Sequence, residues 1–171
     1  MSKPLLSMDE AIAIVLAATE CLTQSHEVAT IDAFGLVLAQ PINAPMNVPP
    51  HDNSAMDGYA VRCADTVSAG ATLKIAQRIA AGDTGIPLAA GTAARIFTGA
   101  PIPPGADAVV MQELCNASGE MVSIGYNPKM GENIRVAGED ILQGNTLIPA
   151  ATRLSAAHLG LAASVGIAKL P

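Results

Sequence analysis

The sequence predicts an α+β fold with two lobes, in which a β-rich lobe is inserted into a helix-containing lobe built from both ends of the chain. Helical periodicity marks both ends, and short strand-like runs separated by Gly, Pro and Asp clusters fill the middle. A proline-rich crossover, Gln40–Pro50, lies between the first helical region and the strands. We therefore assign residues 1–45 and 135–171 to the helix-containing lobe, a linker or dimerisation lobe, and residues 46–134 to the inserted lobe, a small barrel or sandwich.

The composition limits the possible classes of function. Half of the 171 residues are hydrophobic and 14% are charged, so the chain can bury a core. The net charge of −6 and the 2% of aromatic residues argue against a nucleic-acid partner, which needs cations and stacking platforms. The apolar runs are too short to cross a bilayer or to form a secretory signal, so we expect no membrane partner. Three widely spaced cysteines without a C-x-x-C pattern are typical of reduced thiols and predict a cytoplasmic protein.

Two helices are predicted from capping signals and periodicity. Ser7 and Glu10 form a capping-box pattern at the start of the first helix. Its apolar residues recur near a period of 3.6, and we expect that face to pack against the rest of the protein. The last helix has Ser155 as its expected N-cap and Gly166 as its expected terminator.

The extended segments are predicted from β-branched runs bounded by turn residues. Glu27–Ile31 is the first of them, and Asp32 is the expected N-cap of a short helical turn over residues 33–39. The crossover is expected to be extended, because each proline removes a backbone donor and disfavours helix in the residue before it. The other predicted strands are Gly58–Arg62, Leu73–Ala80, Ala93–Phe97, Ala108–Gln112, Met121–Ile124 and Thr146–Ile148.

Three polar loops lie at the ends of predicted strands, namely Asp52–Gly58, Thr98–Pro101 and Gly138–Asp140. Asn, Asp, Ser and Gly dominate ordinary turns, so each loop alone is equally consistent with a surface turn. If the loops converge, they bring together at least two carboxylates and a hydroxyl, a set that suits a hard cation such as Mg²⁺. The sequence contains no P-loop or dinucleotide-binding glycine motif, and its dispersed histidines do not suggest a zinc site.

One of these segments, Pro49–Val61, resembles the signature of the molybdopterin molybdenumtransferases, the family of bacterial MoeA and the gephyrin E domain. Three further segments are similar to the family and occur in the family's order. They are Ile96–Pro101, Ala106–Glu113 and Asn133–Ile141.

The resemblance implies an activity and a set of site residues. Members of the family insert molybdenum from molybdate into molybdopterin, with adenylylated molybdopterin as substrate and Mg²⁺ as cofactor, and release AMP. The matching positions imply that Asp57, Asp140 and Thr98 are catalytic and that Asp57 and Asp140 bind the metal. Asn53 and Ser54, in the same signature, are expected to bind the cofactor. A carboxylate pair can orient Mg²⁺ or a water, and a threonine hydroxyl can donate to a phosphate or molybdate oxygen.

The resemblance also implies partners. A homodimer is expected, with the molybdopterin adenylyltransferase and the molybdopterin substrate as partners. Members of the family continue, after the equivalent of Pro171, into an α/β domain and a small β domain that would hold the pterin, so this chain is expected to be inactive alone. The alternative hypothesis is a non-catalytic dimerisation or scaffold module, which the apolar, charge-poor helices favour.

Overall fold

The computed structural model describes residues 6–20, 22, 24–68 and 70–171. Its contacts divide the chain into two compact units, one formed by Met1–Pro41 with Pro149–Pro171 and the other by Ile42–Ile148. The second unit extends beyond the expected lobe of residues 46–134 at both ends, because strand pairs join its termini. The division into lobes stays a prediction.

The elements follow the chain in a simple order. The helices are α1 Met8–Ala17 and α2 Ala156–Ser164. The strands are β1 Val28–Ala29, β2 Ile42–Asn43, β3 Asn53–Ser54, β4 Gly58–Val61, β5 Ala71–Ile79, β6 Thr92–Ile96, β7 Ala108–Met111, β8 Cys115–Ser118, β9 Met121–Ile124, β10 Ile134–Arg135, β11 Thr146–Ile148 and β12 Lys169–Leu170. None of the helices in the described part of the chain has the length and hydropathy needed to cross a bilayer.

A six-stranded sheet in the order β7-β4-β6-β5-β9-β8 dominates the second unit. All of its neighbours are antiparallel except the parallel pair β5 and β6. Its two edge strands, β7 and β8, are consecutive in the chain and only Gln112–Leu114 lies between them. A flat sheet would hold its edges about 24 Å apart, whereas four Cα steps span at most about 14 Å. The sheet is therefore curled into a half-barrel.

Side chains alternate between the two faces of each strand, so the sheet carries an apolar layer on each face. Because the sheet is curled, one of these layers is the inner layer and the other is the outer layer. The inner layer draws residues from strands at both edges, including Val110 of β7 and Ile124 of β9, with Cys115 of β8 packed against it. The outer layer is covered by loops that contribute Leu88 and Ala100. Two of the polar loops described below adjoin one end of this sheet, where the start of β4 pairs with the end of β6.

Both helix caps are confirmed. Ser7 accepts the N–H of Glu10 at 3.2 Å, and the Glu10 carboxylate accepts the N–H of Ser7 at 2.8 Å. Ser155 likewise caps α2, and Gly166 follows it with φ +80°. The expectation that α1 packs within the chain is wrong, since none of its residues is buried and Met8 is 76% exposed.

The core strands predicted from sequence are confirmed, with ends that differ by two residues or fewer. The helical turn expected over residues 33–39 is not formed, because Gly35 adopts φ +79° and Val37 instead forms a β-bridge with Arg153. The expected strand Glu27–Ile31 shortens to β1, and a 3-10 turn takes over at Thr30–Asp32. The short strands β2, β3, β10 and β12 and the edge strand β8 were not predicted.

Candidate functional site

The three polar loops converge, and the first of them lies between the other two. We call them the first loop (residues 49–58), the second loop (residues 98–101) and the third loop (residues 136–140). Ser54 donates its N–H to the carbonyl of Ala100 at 2.9 Å and accepts the N–H of Gly99 at 2.8 Å. On the other side, β3 pairs with β10, which leads into the third loop. A strand pair on one side and turn hydrogen bonds on the other therefore fix the first loop.

Asp57 and Thr98 form a side-chain contact between the first and second loops. The backbone N–H and the hydroxyl of Thr98 both donate to Asp57 Oδ1, each at 2.8 Å. These two donors, first the N–H and then the hydroxyl, hold the pKa of Asp57 below its ordinary value, and the charge of Arg95 adds to the effect. The carboxylate is therefore ionised at neutral pH, and its Oδ2 accepts no hydrogen bond from the described residues.

Asp140 makes a different contact. Both of its carboxylate oxygens accept from Arg135 Nη2 at 2.7 Å, and Glu139 lies 3.6 Å from Arg135 Nε. The hydrogen bonds and charge of Asp140 raise the pKa of Arg135. Asp57 and Asp140, the two predicted metal ligands, are thus held by separate partners. Across residues 6–20, 22, 24–68 and 70–171, no group of three or more His, Cys, Asp or Glu side chains is placed to hold a metal ion.

Asn53 and Ser54 differ in how their side chains are used. Ser54 is 1% exposed, and its hydroxyl donates to the carbonyl of Met56 at 2.6 Å, which closes a turn inside the first loop. Asn53 Oδ1 is buried and accepts no hydrogen bond from the described part of the chain. A buried acceptor without a donor is costly, and no described residue offsets that cost at Asn53 Oδ1.

Two residues of the site were missed by the sequence reasoning. Asp52 Oδ1 accepts the N–H of Ala137 at 2.8 Å and so joins the first loop to the third. Arg95 Nη1 donates to the carbonyls of Gly58 at 2.8 Å and Ile96 at 2.6 Å, and its Nη2 donates to Gln112 at 2.6 Å. The available signal for Arg95 was a single charge in an otherwise apolar strand.

Cys63 and Cys115, the two cysteines in the described part of the chain, do not contribute a nucleophile to this site. Burial is the main cause that raises the pKa of Cys63 and of Cys115 to about 11. Both side chains therefore remain neutral thiols at neutral pH, as expected for cysteines that pack against a core.

Comparison with known proteins adds the family. A molybdopterin molybdenumtransferase 2 from Mycobacterium tuberculosis is 44% identical over 146 residues, which is 81% of this chain and 36% of that protein. A molybdopterin molybdenumtransferase from Haemophilus influenzae is 37% identical over 171 residues, which is 97% of this chain and 41% of that protein. The crystal structure of the molybdopterin biosynthesis MoeA protein from Pyrococcus horikoshii OT3 superposes with a TM-score of 0.89 at 30% identity, over 98% of this chain and 45% of that one.

The chain thus spans well under half the length of the two curated relatives. The strongest assignment comes from the family model described as the MoeA N-terminal region (domain I and II), which matches residues 6–166. This match takes in both helices and all three polar loops. The chain therefore belongs to the family of MoeA N-terminal regions.

Proposed function

We propose that this chain is the N-terminal part of a molybdopterin molybdenumtransferase, which inserts molybdenum from molybdate into adenylylated molybdopterin during molybdenum cofactor biosynthesis. The contact of Asp57 with Thr98, which joins the first loop to the second, carries the proposal. An ionised carboxylate with one uncommitted oxygen beside an exposed hydroxyl suits the handling of a metal and of substrate oxygens. Relatives with the transferase name are more than twice as long, so we propose that the chain is inactive alone.

The residues of this chain fit Mg²⁺ only in part. Asp57 offers Oδ2 as a ligand, whereas both Asp140 oxygens are engaged by Arg135. Mg²⁺ is commonly held by one or two carboxylates with substrate phosphates and waters completing its shell. We propose Asp57 as the first ligand, with Asp140 joining it when the Arg135 contact opens. Bound there, the cation would neutralise charge on phosphate or molybdate oxygens.

The remaining site residues have distinct roles in this proposal. Thr98 orients the Asp57 carboxylate, and its hydroxyl can turn to donate to a substrate oxygen. Asn53 Oδ1 accepts a donor from the pterin or nucleotide, and Ser54 keeps the first loop in the shape that presents Asn53. Arg135 at the end of β10 and Asp140 on the third loop form a charged pair that substrate phosphates can rearrange.

The proposed setting is a cytoplasmic homodimer that works with the molybdopterin adenylyltransferase. The helix-containing residues 1–45 and 135–171 would form the dimerisation lobe, and residues 46–134 would form the inserted lobe, which carries Asp57 and Thr98. Further domains of the whole protein would hold the pterin. The paired short strands and the curled sheet support a separate site-bearing body.

Complementation tests the proposed function. The chain is co-expressed with the remaining C-terminal part of the Mycobacterium tuberculosis relative in cells that lack the transferase, and molybdenum cofactor formation is measured. We expect cofactor only when both parts are present, and a loss of at least about 100-fold for Asp57→Ala, as for removal of one preorganised group. Wild-type activity in both Asp57→Ala and Asp140→Ala would remove the catalytic assignment.

A second candidate function is a dimerisation or scaffold module without chemistry of its own. The exposed apolar residues of α1 favour it; Leu16, for example, is 67% exposed. The two functions differ in ligand binding, because a pure scaffold has no reason to bind molybdate, Mg²⁺ or AMP. Saturable binding of any of these to the isolated chain would exclude the scaffold function.

A further inference from the structure

Two arginines lie side by side next to the Asp57–Thr98 contact. Arg78 of β5 and Arg95 of β6 are direct partners in the parallel strand pair. Both guanidinium groups contact the ring of Phe97, with 4.7 Å from Arg78 Cζ and 4.3 Å from Arg95 Cζ to the ring centroid. Phe97 immediately precedes Thr98, so the two cations lie at the second loop.

This arrangement has an electrostatic cost that the fold does not explain. Like charges on directly paired strand residues destabilise a sheet, and contacts with an aromatic ring at an exposed site return only about 0.5–1 kcal/mol. The chain has 15 acidic residues and 9 Lys and Arg together, yet within the described residues neither cation has a carboxylate as ion-pair partner. Elsewhere in the described chain at least one carboxylate partner is found for each of Arg62, Lys74, Arg135 and Lys169.

The two arginines differ in how their donors are used. Arg95 is committed to two backbone carbonyls and to Gln112, so its position is fixed and its charge remains. Arg78 is exposed, and no acceptor among the described residues engages its guanidinium. The ring of Phe97 holds it in place. A planar guanidinium with free donors matches the oxygens of phosphate-like anions.

We propose that Arg78 and Arg95 form a binding site for a tetrahedral oxyanion, a phosphate group or molybdate, with Arg78 donating directly and Arg95 supplying fixed positive charge. This inference rests on the proposed function, in which the site would be a substrate-binding element. The anion would lie beside the second loop, on the side where Phe97 contacts both guanidinium groups.

The test is a titration of the isolated chain with inorganic phosphate, molybdate and AMP at constant ionic strength, followed by the backbone amide resonances of Phe97 and Thr98. We expect saturable shifts in the wild type and an affinity at least about tenfold lower in Arg78→Gln, as for the loss of one charge-assisted contact. Arg78→Lys keeps the charge and loses the planar fork, so we expect an intermediate affinity. Lys74→Gln, which removes the same charge from the same strand, is the matched control and should bind as the wild type does.

Two results would overturn the proposal: unchanged binding in Arg78→Gln, or equal weakening in Arg78→Gln and Lys74→Gln, which would mean unspecific attraction. A preference for AMP over phosphate would support the site and assign it to the nucleotide, and a preference for molybdate would support it and assign it to the metal oxyanion. The titration does not depend on cofactor formation, so a failed complementation would not change its result. If complementation succeeds while Arg78→Gln binds the anions as the wild type does, the anion site is overturned and the proposed function is not.

Discussion

Asp57 depends on Thr98 more than on any other residue for its charge state. Two donors from one residue reach the same carboxylate oxygen, and one of them belongs to the backbone and survives every side-chain change. Arg95 contributes a smaller Coulombic effect in the same direction. A single threonine therefore holds the proposed catalytic carboxylate in position and is the main cause of its lowered pKa.

Replacing Thr98 by Ala should raise the pKa of Asp57, because the hydroxyl donor is lost while the N–H donor remains. The pKa should stay below the ordinary value for the same reason. A pH titration of the Asp57 carboxyl resonance by NMR measures both effects. Thr152→Ala is the control, since the Thr152 hydroxyl bonds to the carbonyl of Pro149 and should leave the Asp57 titration unchanged.

The lowered pKa also fixes the direction of the pH dependence of stability. The pKa of Asp57 is lower in the folded chain than in the unfolded chain. Its contacts therefore contribute their full stabilisation when the pH is above the unfolded-state pKa. That contribution is lost as the pH falls through the folded value. Urea unfolding of wild type and Thr98→Ala should therefore differ at neutral pH and converge in acid, and a difference that grows in acid would contradict this assignment.

Sequence reasoning singled out polar residues of loops that the structure brings together, but it did not identify their partners. Asp57, Thr98 and Asp140 stand in conspicuous polar loops, whereas the hydrogen bonds that define their roles join residues 41 apart for Asp57 and Thr98 and 85 apart for Asp52 and Ala137. Such contacts depend on how the strands pair. Arg95 was missed for the opposite reason, because an arginine in a strand is usually solvated and its ties to two backbone carbonyls become visible only in three dimensions.

At the scale of elements, Gly58 explains how β4 approaches β7. A Cβ at this position would lie 2.0 Å from the carbonyl oxygen of Val110 and 3.2 Å from the Cα of Met111. Both are backbone atoms that cannot move aside. The glycine that follows Asp57 is therefore required by strand packing and at the same time fixes where the first loop ends.

Gly58→Ala should destabilise the fold by at least about 1–3 kcal/mol, because the methyl group overpacks a rigid backbone. Chemical denaturation measures the effect. Gly160→Ala in α2 is the matched control, with no atom within 4 Å of its added methyl, and it should stabilise by up to about 1 kcal/mol through helix propensity. Equal effects of the two substitutions would contradict the close approach of β4 and β7.

Asp52 is the side chain that couples the first loop to the third. Asp52→Ala removes the acceptor of the Ala137 N–H, a charge-assisted bond at 2.8 Å. Hydrogen exchange of the Ala137 amide should accelerate about tenfold, which corresponds to about 1.4 kcal/mol of lost protection. Asp83→Ala, in an exposed turn, should leave that amide unchanged. Unaltered exchange in Asp52→Ala would mean that the strand pair β3–β10 alone holds the third loop.

The elements were predictable where local chemistry specifies them. Capping residues gave α1 and α2, and alternating β-branched runs gave the core strands. The edge strand β8, Cys-Asn-Ala-Ser, has little intrinsic β propensity and exists because β9 offers it a pairing partner. The turn expected over residues 33–39 failed because a tertiary β-bridge at Val37 outweighs a weak helical preference.

At the scale of the whole molecule, long-range pairing decides the topology. Strands β2 and β11 pair although more than 100 residues separate them in the sequence. The side chains of one such pair, Asn43 and Thr146, also form a hydrogen bond. The curl of the sheet likewise follows from a three-residue connection between its two edges. Periodicity reports which face of a strand is buried but not which strand lies next to it, so neither feature was available from the sequence.

The exposed apolar stripe of α1 leads to the last prediction, on self-association. Met8, Val15 and Leu16 are all more than half exposed, and each would contribute about 1.5–3 kcal/mol if buried in an interface. In the proposed homodimer, Leu16→Glu should therefore weaken dimerisation by at least about tenfold in sedimentation equilibrium. Ala13→Glu adds the same charge to the same helix outside that stripe and should leave the dimer intact. A wild-type chain that stays monomeric at high concentration would remove α1 as a dimer contact and with it the scaffold alternative.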